Sequence, residues 1–214
     1  MIAPALSRIA RTLTAVAALL CACLASLSAW STEVEPDALV RSVSQDVMGI
    51  LEQHAADPGS AAVQEMVSEK VLPHFDFARM AALASGLAWR SATPEQKAEL
   101  TEEFRSLLVR TYSKALGKFR GQKLEFDPQR KSADQRKAIV RSRLVQAGSE
   151  PITVDYRMAV TATGWKVYDV SVDGVSLVTT YRDAFAEESR RNGIPGLIRM
   201  LKDKNANLAA GRTA

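Results

Sequence analysis

The residues from 165 to 185 constrain the fold of this 214-residue chain more than any other stretch. Apolar and polar residues alternate over 165–172, which predicts a β-strand, because successive side chains of a strand point to opposite faces. Strict alternation places Trp165, Val167, Asp169 and Ser171 on one face and Lys166, Tyr168, Val170 and Val172 on the other. Asp169 would then share its face with two large apolar residues, so we expect it to be partly buried.

The strand is followed by a sharp turn at Asp173-Gly174 and then by a change of period. Apolar residues recur at helical spacing after the turn, which predicts a helix whose apolar stripe faces back toward the sheet. The stripe, mostly apolar, consists of Leu177, Val178, Tyr181, Phe185 and Glu188. Asn192-Gly193 should end this helix, and Pro195 should begin a last one.

The remaining segments predict helices first and strands second. Proline or capping signals mark helices from Pro36 to about Gln53, from Asp57-Pro58 to before Pro73, from Asp76 to near Gly86, and from Thr93 to about Lys118. Strand patterns cover 123–126, 136–146 and 152–160, and a Thr163-Gly164 turn joins the last of these to the Trp165 strand as a hairpin. The chain is therefore predicted to be an α+β protein: a helical N-terminal half, an antiparallel sheet of about four strands packed on helices, and a helical C-terminal tail.

The N-terminus has the pattern of an export signal. Arg8 and Arg11 precede an uncharged apolar run over 13–27, and small residues at Ala29 and Ser31 suit cleavage. We therefore expect residues 1–31 to be removed and residues 32–214 to form a single domain. A weak lipobox ending at Cys23 leaves lipidation there as an alternative, and a retained anchor is another. Cleavage would remove both cysteines of the chain, so no disulfide, thiolate metal site or thiol nucleophile is expected.

Positive charge is concentrated in the middle of the chain. Between Lys118 and Arg143, nine basic residues face three acidic ones, a local net charge of +6. After cleavage the whole chain would carry 26 basic and 24 acidic residues, a net charge of only +2. Nucleic acid is a poor partner for this stretch, because the chain is exported and few aromatic residues interleave the charges. A solvated face, an anionic headgroup or an acidic partner all remain open.

Candidate catalytic residues are few. His54 and His74 are the only histidines, and neither has acidic or cysteine neighbours at metal-ligand spacing, so we expect no metal and no cofactor. Asp155, Asp169 and Asp173 each have an ordinary structural explanation. The sequence therefore predicts that the protein is not an enzyme. The alternative is an enzyme of the small α+β cone type, in which Asp155 or Asp169 would act as a base.

The apolar residues of the sheet and helices predict either a filled core or a hollow one, and period alone does not separate the two. A hollow core would be a cavity between sheet and helices. The candidate lining residues are Leu108, Tyr112, Leu116, Val154, Tyr156, Met158, Val170, Val172, Val175 and Leu177, followed along the stripe by Tyr181.

Several motifs together resemble the MlaC family of periplasmic phospholipid carriers, also called toluene-tolerance auxiliary transport proteins. The C-terminal motif is GWKVYDV followed by DGVSLV and YRDAF, over 164–185. The others are VLPHFDFARM (71–80), WRSATPEQK (89–97), FRSLLVRTY (104–112) and NGIPGLIRMLK (192–202). No single motif is specific, but their order and spacing together are. The motifs cover nearly the whole mature chain.

The resemblance implies a monomeric periplasmic shuttle that binds a phospholipid and needs no cofactor. Its partners would be an inner-membrane ABC transporter complex and an outer-membrane lipoprotein–porin complex, and its role would be to maintain outer-membrane lipid asymmetry. By position, Val175 and Leu177 would lie at the lipid cavity and Arg143 near its mouth. A sister branch associated with hopanoid biosynthesis shares the pattern, so a hopanoid-associated lipid-binding protein remains open.

Overall fold

The structure is a computed structural model that describes residues 35–54, 57, 60–116, 122–128, 134–146 and 148–211. The side chains of residues 61 and 113–116 are not part of that description. The predicted export signal, with Cys23 and both candidate cleavage positions, lies outside the described residues. Across the described ranges, no helix has the length and continuous apolar character that crossing a bilayer requires.

The N-terminal half is helical, as predicted. Its helices are α1 (Pro36–Gln53), α2 (Ala61–Lys70), α3 (Phe77–Ser85), α4 (Leu87–Ser91) and α5 (Pro94–Leu116), with a 3₁₀ turn at Leu72–His74 between α2 and α3. The predicted capping box at the start of α5 is confirmed: the Thr93 amide donates to Gln96 Oε1 at 3.0 Å, and the Gln96 amide donates to Thr93 Oγ1 at 3.3 Å. Two donors at the helix start are thus satisfied reciprocally.

Two details of the helical half differ from the prediction. Helix α2 is capped by Ser60, whose Oγ accepts from the Val63 amide, and not by Asp57. The short helix α4 is not predicted by the sequence, in which Gly86 marks the end of α3. Gly86 has a φ of 57°, which turns the chain into α4. Asp76 caps α3 as predicted, by accepting from the Arg79 amide at 3.0 Å.

The sheet is antiparallel and has five strands in sequence order among the described residues, where about four were predicted. The strands are β1 (Lys123–Phe126), β2 (Lys137–Val145), β3 (Ile152–Thr161), β4 (Gly164–Val172) and β5 (Val175–Ser176). The additional strand is β5, which has only two residues and pairs Val175 with Val172 after the Asp173-Gly174 turn. The α+β class and the β3–β4 hairpin are confirmed.

A β-bulge at Tyr168 changes which residues of β4 share a face. Arg157 pairs with Asp169 while the next residue of β3, Met158, pairs with Val167, so Tyr168 is one extra residue in β4. Directly paired residues of neighbouring strands point to the same face, and an extra residue therefore reverses the alternation beyond it. The strict alternation predicted for this strand is wrong. Trp165 and Val167 share a face with Val170 and Val172, and Asp169 and Ser171 lie on the other.

The C-terminal helix begins later than predicted. A turn and a 3₁₀ segment, Thr179–Tyr181, follow β5, and α6 runs over Arg182–Ala209. The break predicted at Asn192-Gly193 is present as a kink, where Gly193 has φ 65° and ψ −172°.

The described residues form two hydrophobic clusters. A helical cluster is built from α3, α5 and α6 and includes Phe104, Val178 and Phe185. A sheet cluster lies between the strands and α1 and includes Val40 and Met158. The predicted single stripe facing the sheet is therefore wrong in part. Leu177 packs in the sheet cluster, whereas Val178, Tyr181 and Phe185 pack among the helices.

Candidate functional site

One face of the sheet is apolar from β2 to β5, and we call it the apolar sheet face. Register assigns to it Ala138, Val140, Val154, Tyr156, Met158, Trp165, Val167, Val170, Val172 and Val175. Helix α1 covers part of this face with Val40 and Leu39, and Leu177 packs onto it from beyond β5. The bulge at Tyr168 is what lets β4 contribute Trp165, Val167, Val170 and Val172 to one continuous surface.

The β4–β5 end of the apolar sheet face is open. Val154 and Val172 are half-buried, and Val175 is 62% exposed, one of the most exposed large apolar residues of the described chain. The sequence predicts that Val175 points at the apolar space where strand and helix meet. In the structure it stands at the open end of the sheet face, in the two-residue strand β5. Apolar side chains exposed together in this way are typical of a binding surface.

Tyr156 is the polar group in the centre of the apolar sheet face. Burial raises the pKa of its phenol, and hydrogen bonds with Ser142 of β2 and Ser44 of α1 partly oppose that rise. Ser44 lies close enough to Tyr156 to influence that pKa, so the tyrosine lies where α1 covers the sheet. A buried tyrosine hydroxyl needs such partners, because an unpaired polar group in an apolar site costs free energy.

The other predicted lining residues lie on the helical side. Leu108 is buried in the helical cluster, and Tyr112 and Tyr181 pack against that cluster. Burial raises the pKa of Tyr112 to about 12, with a further contribution from the neighbouring Tyr181. The Tyr181 ring meets Phe104 edge to face at 5.3 Å between centroids. Leu116 belongs to the last turn of α5, and its side chain lies outside the described part of the chain.

Arg143 lies on the opposite face of the sheet from Tyr156 and Val172. Its Nε is 3.3 Å from Asp127 Oδ1, and its Nη2 is 3.9 Å from Glu125 Oε2. Arg141 contacts Asp155 at 3.4 Å on the same face. Among the described residues of the basic stretch, Arg141 and Arg143 are therefore each paired with a carboxylate. A role for Arg143 at the mouth of a cavity stays a prediction.

Asp169 is the buried acid of the sheet, with 4% of its surface exposed. Ser176 Oγ donates to its carboxylate, and the Val178 amide donates to Oδ1 at 3.3 Å. Arg157 Nε lies 4.0 Å from Oδ2. These partners fix the turn that leads out of the sheet. Both carboxylate oxygens are engaged, which is the arrangement of a structural anion and not of a base aimed at a substrate.

The two histidines and the remaining acids do not form a metal site in the described residues, where no group of three potential ligands comes together. His74 is partly buried beside Lys166, and burial followed by that neighbouring charge lowers its pKa, with Asp46 acting in the opposite direction. Asp173 accepts from the Thr153 amide at 2.9 Å and thereby stabilises the turn between β4 and β5.

A groove of about 640 Å³ lies between α3, α4 and α6. None of its lining residues belongs to the site predicted from the sequence, and four of them are arginines: Arg79, Arg90, Arg182 and Arg190. Sequence reasoning missed this groove because its residues are separated by about a hundred positions and α4 was not foreseen. The covering role of Val40 was missed too, although the apolar stripe of α1 is plain in the sequence.

These features define a small α+β domain in which one apolar sheet face is partly covered by a helix and open at one end. Residues 41–203 match the model of the MlaC protein family. That match spans most of the chain, and the chain belongs to the MlaC family.

Known relatives agree with this assignment. The chain is 33% identical over 104 residues to the toluene tolerance protein Ttg2D of Pseudomonas putida, covering 49% of this chain and 48% of that protein. It is 24% identical over 139 residues to the intermembrane phospholipid transport system binding protein MlaC of Haemophilus influenzae, covering 64% and 65%. The matched segments thus span about half of the first relative and somewhat under two thirds of the second.

A solved structure supports the fold. The phospholipid-binding protein of Ralstonia solanacearum, whose structure was determined in complex with a phospholipid, is 37% identical to this chain. The two superpose with a TM-score of 0.74 over 82% of this chain and 99% of that one.

Proposed function

We propose that this protein binds one phospholipid non-covalently and carries it across the periplasm without chemical change. The observation that carries the proposal is the similarity, at 37% identity and over nearly the whole of the other chain, to a protein whose structure holds a phospholipid. The names of the two curated relatives point in the same direction.

Physical chemistry explains why such a carrier needs an apolar surface. Transfer of an acyl chain into water costs about 0.8 kcal/mol per methylene, so a diacyl lipid with about thirty methylenes meets a barrier of roughly 24 kcal/mol. A carrier lowers that barrier by covering the chains and leaving the headgroup near solvent. The apolar sheet face has the character this task requires, and its open end lies at Val154, Val172 and Val175.

In the proposed complex the acyl chains lie along the apolar sheet face, with Tyr156, Val170 and Leu177 deeper than Val175. Leu108, Tyr112 and Tyr181 would form the helical wall, with Leu116 beside them. Helix α1 rests on the same face through Val40 and Leu39, so we propose that it is the element which adjusts when the chains are bound. No step in this function requires a nucleophile, a base or a metal.

The export route and the transport partners proposed for this protein follow from its membership of the MlaC family. The precursor would be cut after Ala29 or Ser31, leaving a periplasmic monomer. It would exchange glycerophospholipid between an inner-membrane ABC transporter complex and an outer-membrane lipoprotein–porin complex, and so maintain the lipid asymmetry of the outer membrane.

Native mass spectrometry of protein prepared from a bacterial periplasm tests the proposal. We expect one lipid adduct per chain, and organic extraction should recover an intact glycerophospholipid. An extracted hopanoid would move the protein to the sister branch. Protein that never carries lipid and takes none up from vesicles would overturn the proposal. The intact mass also reports the N-terminus, since cleavage at Ala29 or Ser31 and lipidation at Cys23 give different masses.

A further inference from the structure

The groove between α3, α4 and α6 combines positive charge with an apolar floor. Its walls carry Arg79, Arg90, Arg182 and Arg190, and the surface between them is formed mainly by apolar atoms of residues such as Leu83. Leu87 stands on the rim with 79% of its surface exposed, the most exposed large apolar residue of the described chain. An exposed apolar patch rimmed by charge is typical of an interaction site.

Within the described part of the chain, no carboxylate neutralises the charge of the groove. None of its four arginines has a carboxylate within 4.0 Å among the residues that the structure describes, whereas Arg141, Arg143 and Arg157 of the sheet each have one. Acidic residues of α6 near the groove are engaged along their own helix: Glu187 pairs with Arg191, and Glu188 accepts from Asn192.

Two of the groove arginines are held in place by the fold. The guanidinium of Arg79 stacks 3.8 Å above the ring of Tyr168. Arg182 donates from Nε and Nη2 to the carbonyl of Leu83 at 3.4 and 3.2 Å. Each retains further N–H groups, because a guanidinium has five donors. Side chains ordered in advance lose less conformational entropy when a partner binds.

We propose that this groove docks an acidic segment of a partner protein that combines carboxylates with aliphatic side chains. Guanidinium groups match carboxylates in paired hydrogen bonds, and their uncompensated charge would steer such a segment toward the groove. The aliphatic side chains would contact the floor and Leu87. The shape of the site favours a segment of a partner's chain as the occupant. The site is concave, whereas a bilayer makes its first contact with the convex parts of a protein surface. This site is distinct from the apolar sheet face and does not depend on the proposed lipid binding.

The test uses the mature, lipid-loaded protein and a fluorescent peptide of about ten residues in which glutamate and leucine pairs alternate. Fluorescence anisotropy gives its affinity at about 50 mM and about 300 mM salt, concentrations between which charge attraction is strongly screened. We expect Arg90→Glu/Arg190→Glu to weaken binding about tenfold or more at the lower salt concentration. Leu87→Ser should weaken binding by a few-fold, and by less for a peptide whose leucines are replaced by serine.

The matched control is Arg110→Glu/Arg199→Glu, which makes the same change of net charge at exposed arginines outside the groove. Binding within about twofold of the unmodified protein is expected there. Equal losses in both double variants would show a response to net charge alone and would overturn the proposal. So would peptide binding that no groove variant changes. Loss of binding to vesicles containing phosphatidylglycerol, with peptide binding intact, would assign the groove to a membrane surface and overturn it as well.

Phospholipid retention is measured on the same samples by native mass spectrometry. The groove variants should keep their lipid and their melting temperature, because Arg90 and Arg190 are exposed. If the protein never carries lipid, the proposed function fails while the groove result still stands on its own.

Discussion

Ser176 Oγ lies 2.7 Å from one carboxylate oxygen of Asp169 and 2.9 Å from the other. The same serine oxygen accepts from the Thr179 amide at 3.1 Å. The pair therefore connects strand β4 to the segment that leads into α6, across the boundary between the two hydrophobic clusters.

Removing the Asp169 carboxylate should destabilise the fold. Asp169→Ala leaves the Ser176 hydroxyl and the Val178 amide without their acceptor, and we expect a loss of about 2–3 kcal/mol in the free energy of unfolding. Ser176→Ala should cost about 1 kcal/mol, since Asp169 keeps its other partners. Urea denaturation checks both values, with the exposed Asp183→Ala as control. A loss for Asp169→Ala no larger than that of the control would show that the carboxylate does not support this turn.

A charge at the open end of the apolar sheet face should abolish lipid retention without unfolding the protein. In Val175→Glu the carboxylate stays hydrated when lipid is absent, because the position is 62% exposed. In the complex it would have to lose its water against acyl chains. Native mass spectrometry should therefore show a folded, lipid-free protein, with unfolding free energy within about 0.5 kcal/mol of the parent.

The control for that experiment is Ile139→Glu. Ile139 is 45% exposed and belongs to the opposite face of the same sheet, so its replacement adds the same charge away from the proposed chains. It should retain lipid. If Val175→Glu keeps its lipid as well, the acyl chains do not lie at this end of the sheet.

Two helical glycines should respond in opposite directions to alanine. A Cβ on Gly196 would lie 2.2 Å from Asn192 Cβ across the kink in α6, so Gly196→Ala must move the kink and should cost about 2 kcal/mol. Gly49 in α1 has nothing within 4 Å of the corresponding position. Gly49→Ala should stabilise the protein by about 0.5–1 kcal/mol, because alanine restricts the unfolded chain. Thermal unfolding of the two variants gives the comparison, and equal shifts of the same sign would contradict the packing at Gly196.

Tyr112 should make stability fall at high pH. Its pKa is about 12 in the folded protein and ordinarily near 10, so the stabilisation is complete below pH 10 and is lost as the pH rises from 10 through 12. Urea unfolding at several pH values in this range should show a smaller decline for Tyr112→Phe than for the parent. Ultraviolet absorbance of tyrosinate reports the titration directly. A Tyr112 that ionises near pH 10 in the folded protein would refute the expected burial.

The sequence was sufficient to predict the features that depend on local chemistry. The Thr93–Gln96 capping box, the Asp76 cap and the break at Gly193 each follow from one or two side chains and their backbone preferences. The hairpin between β3 and β4 follows from alternation and a short turn. Family membership added the expectation of an apolar binding surface.

The remaining features depend on contacts between distant segments. No residue pattern marks the bulge at Tyr168, since it depends on how β4 pairs with β3. The separation of Leu177 from Val178 into different clusters depends on where the helices pack, and both residues suit either cluster. Tertiary packing also decides which part of the apolar sheet face is covered by α1, and therefore how exposed Val175 is.

The extra residue in β4 could be lost without moving its neighbours to the other face of the sheet. Tyr168 is half-buried and stacks with Arg79, so replacing its side chain changes one contact. Deleting the residue would remove the bulge and leave an ordinary antiparallel pair, in which Met158 still faces Val167 and Arg157 still faces Asp169. Val170 and Val172 would stay on the face of Tyr156, and Asp169 and Ser171 on the other, because the shortened strand alternates regularly. The loss of this single codon would therefore regularise the strand and leave the apolar sheet face intact.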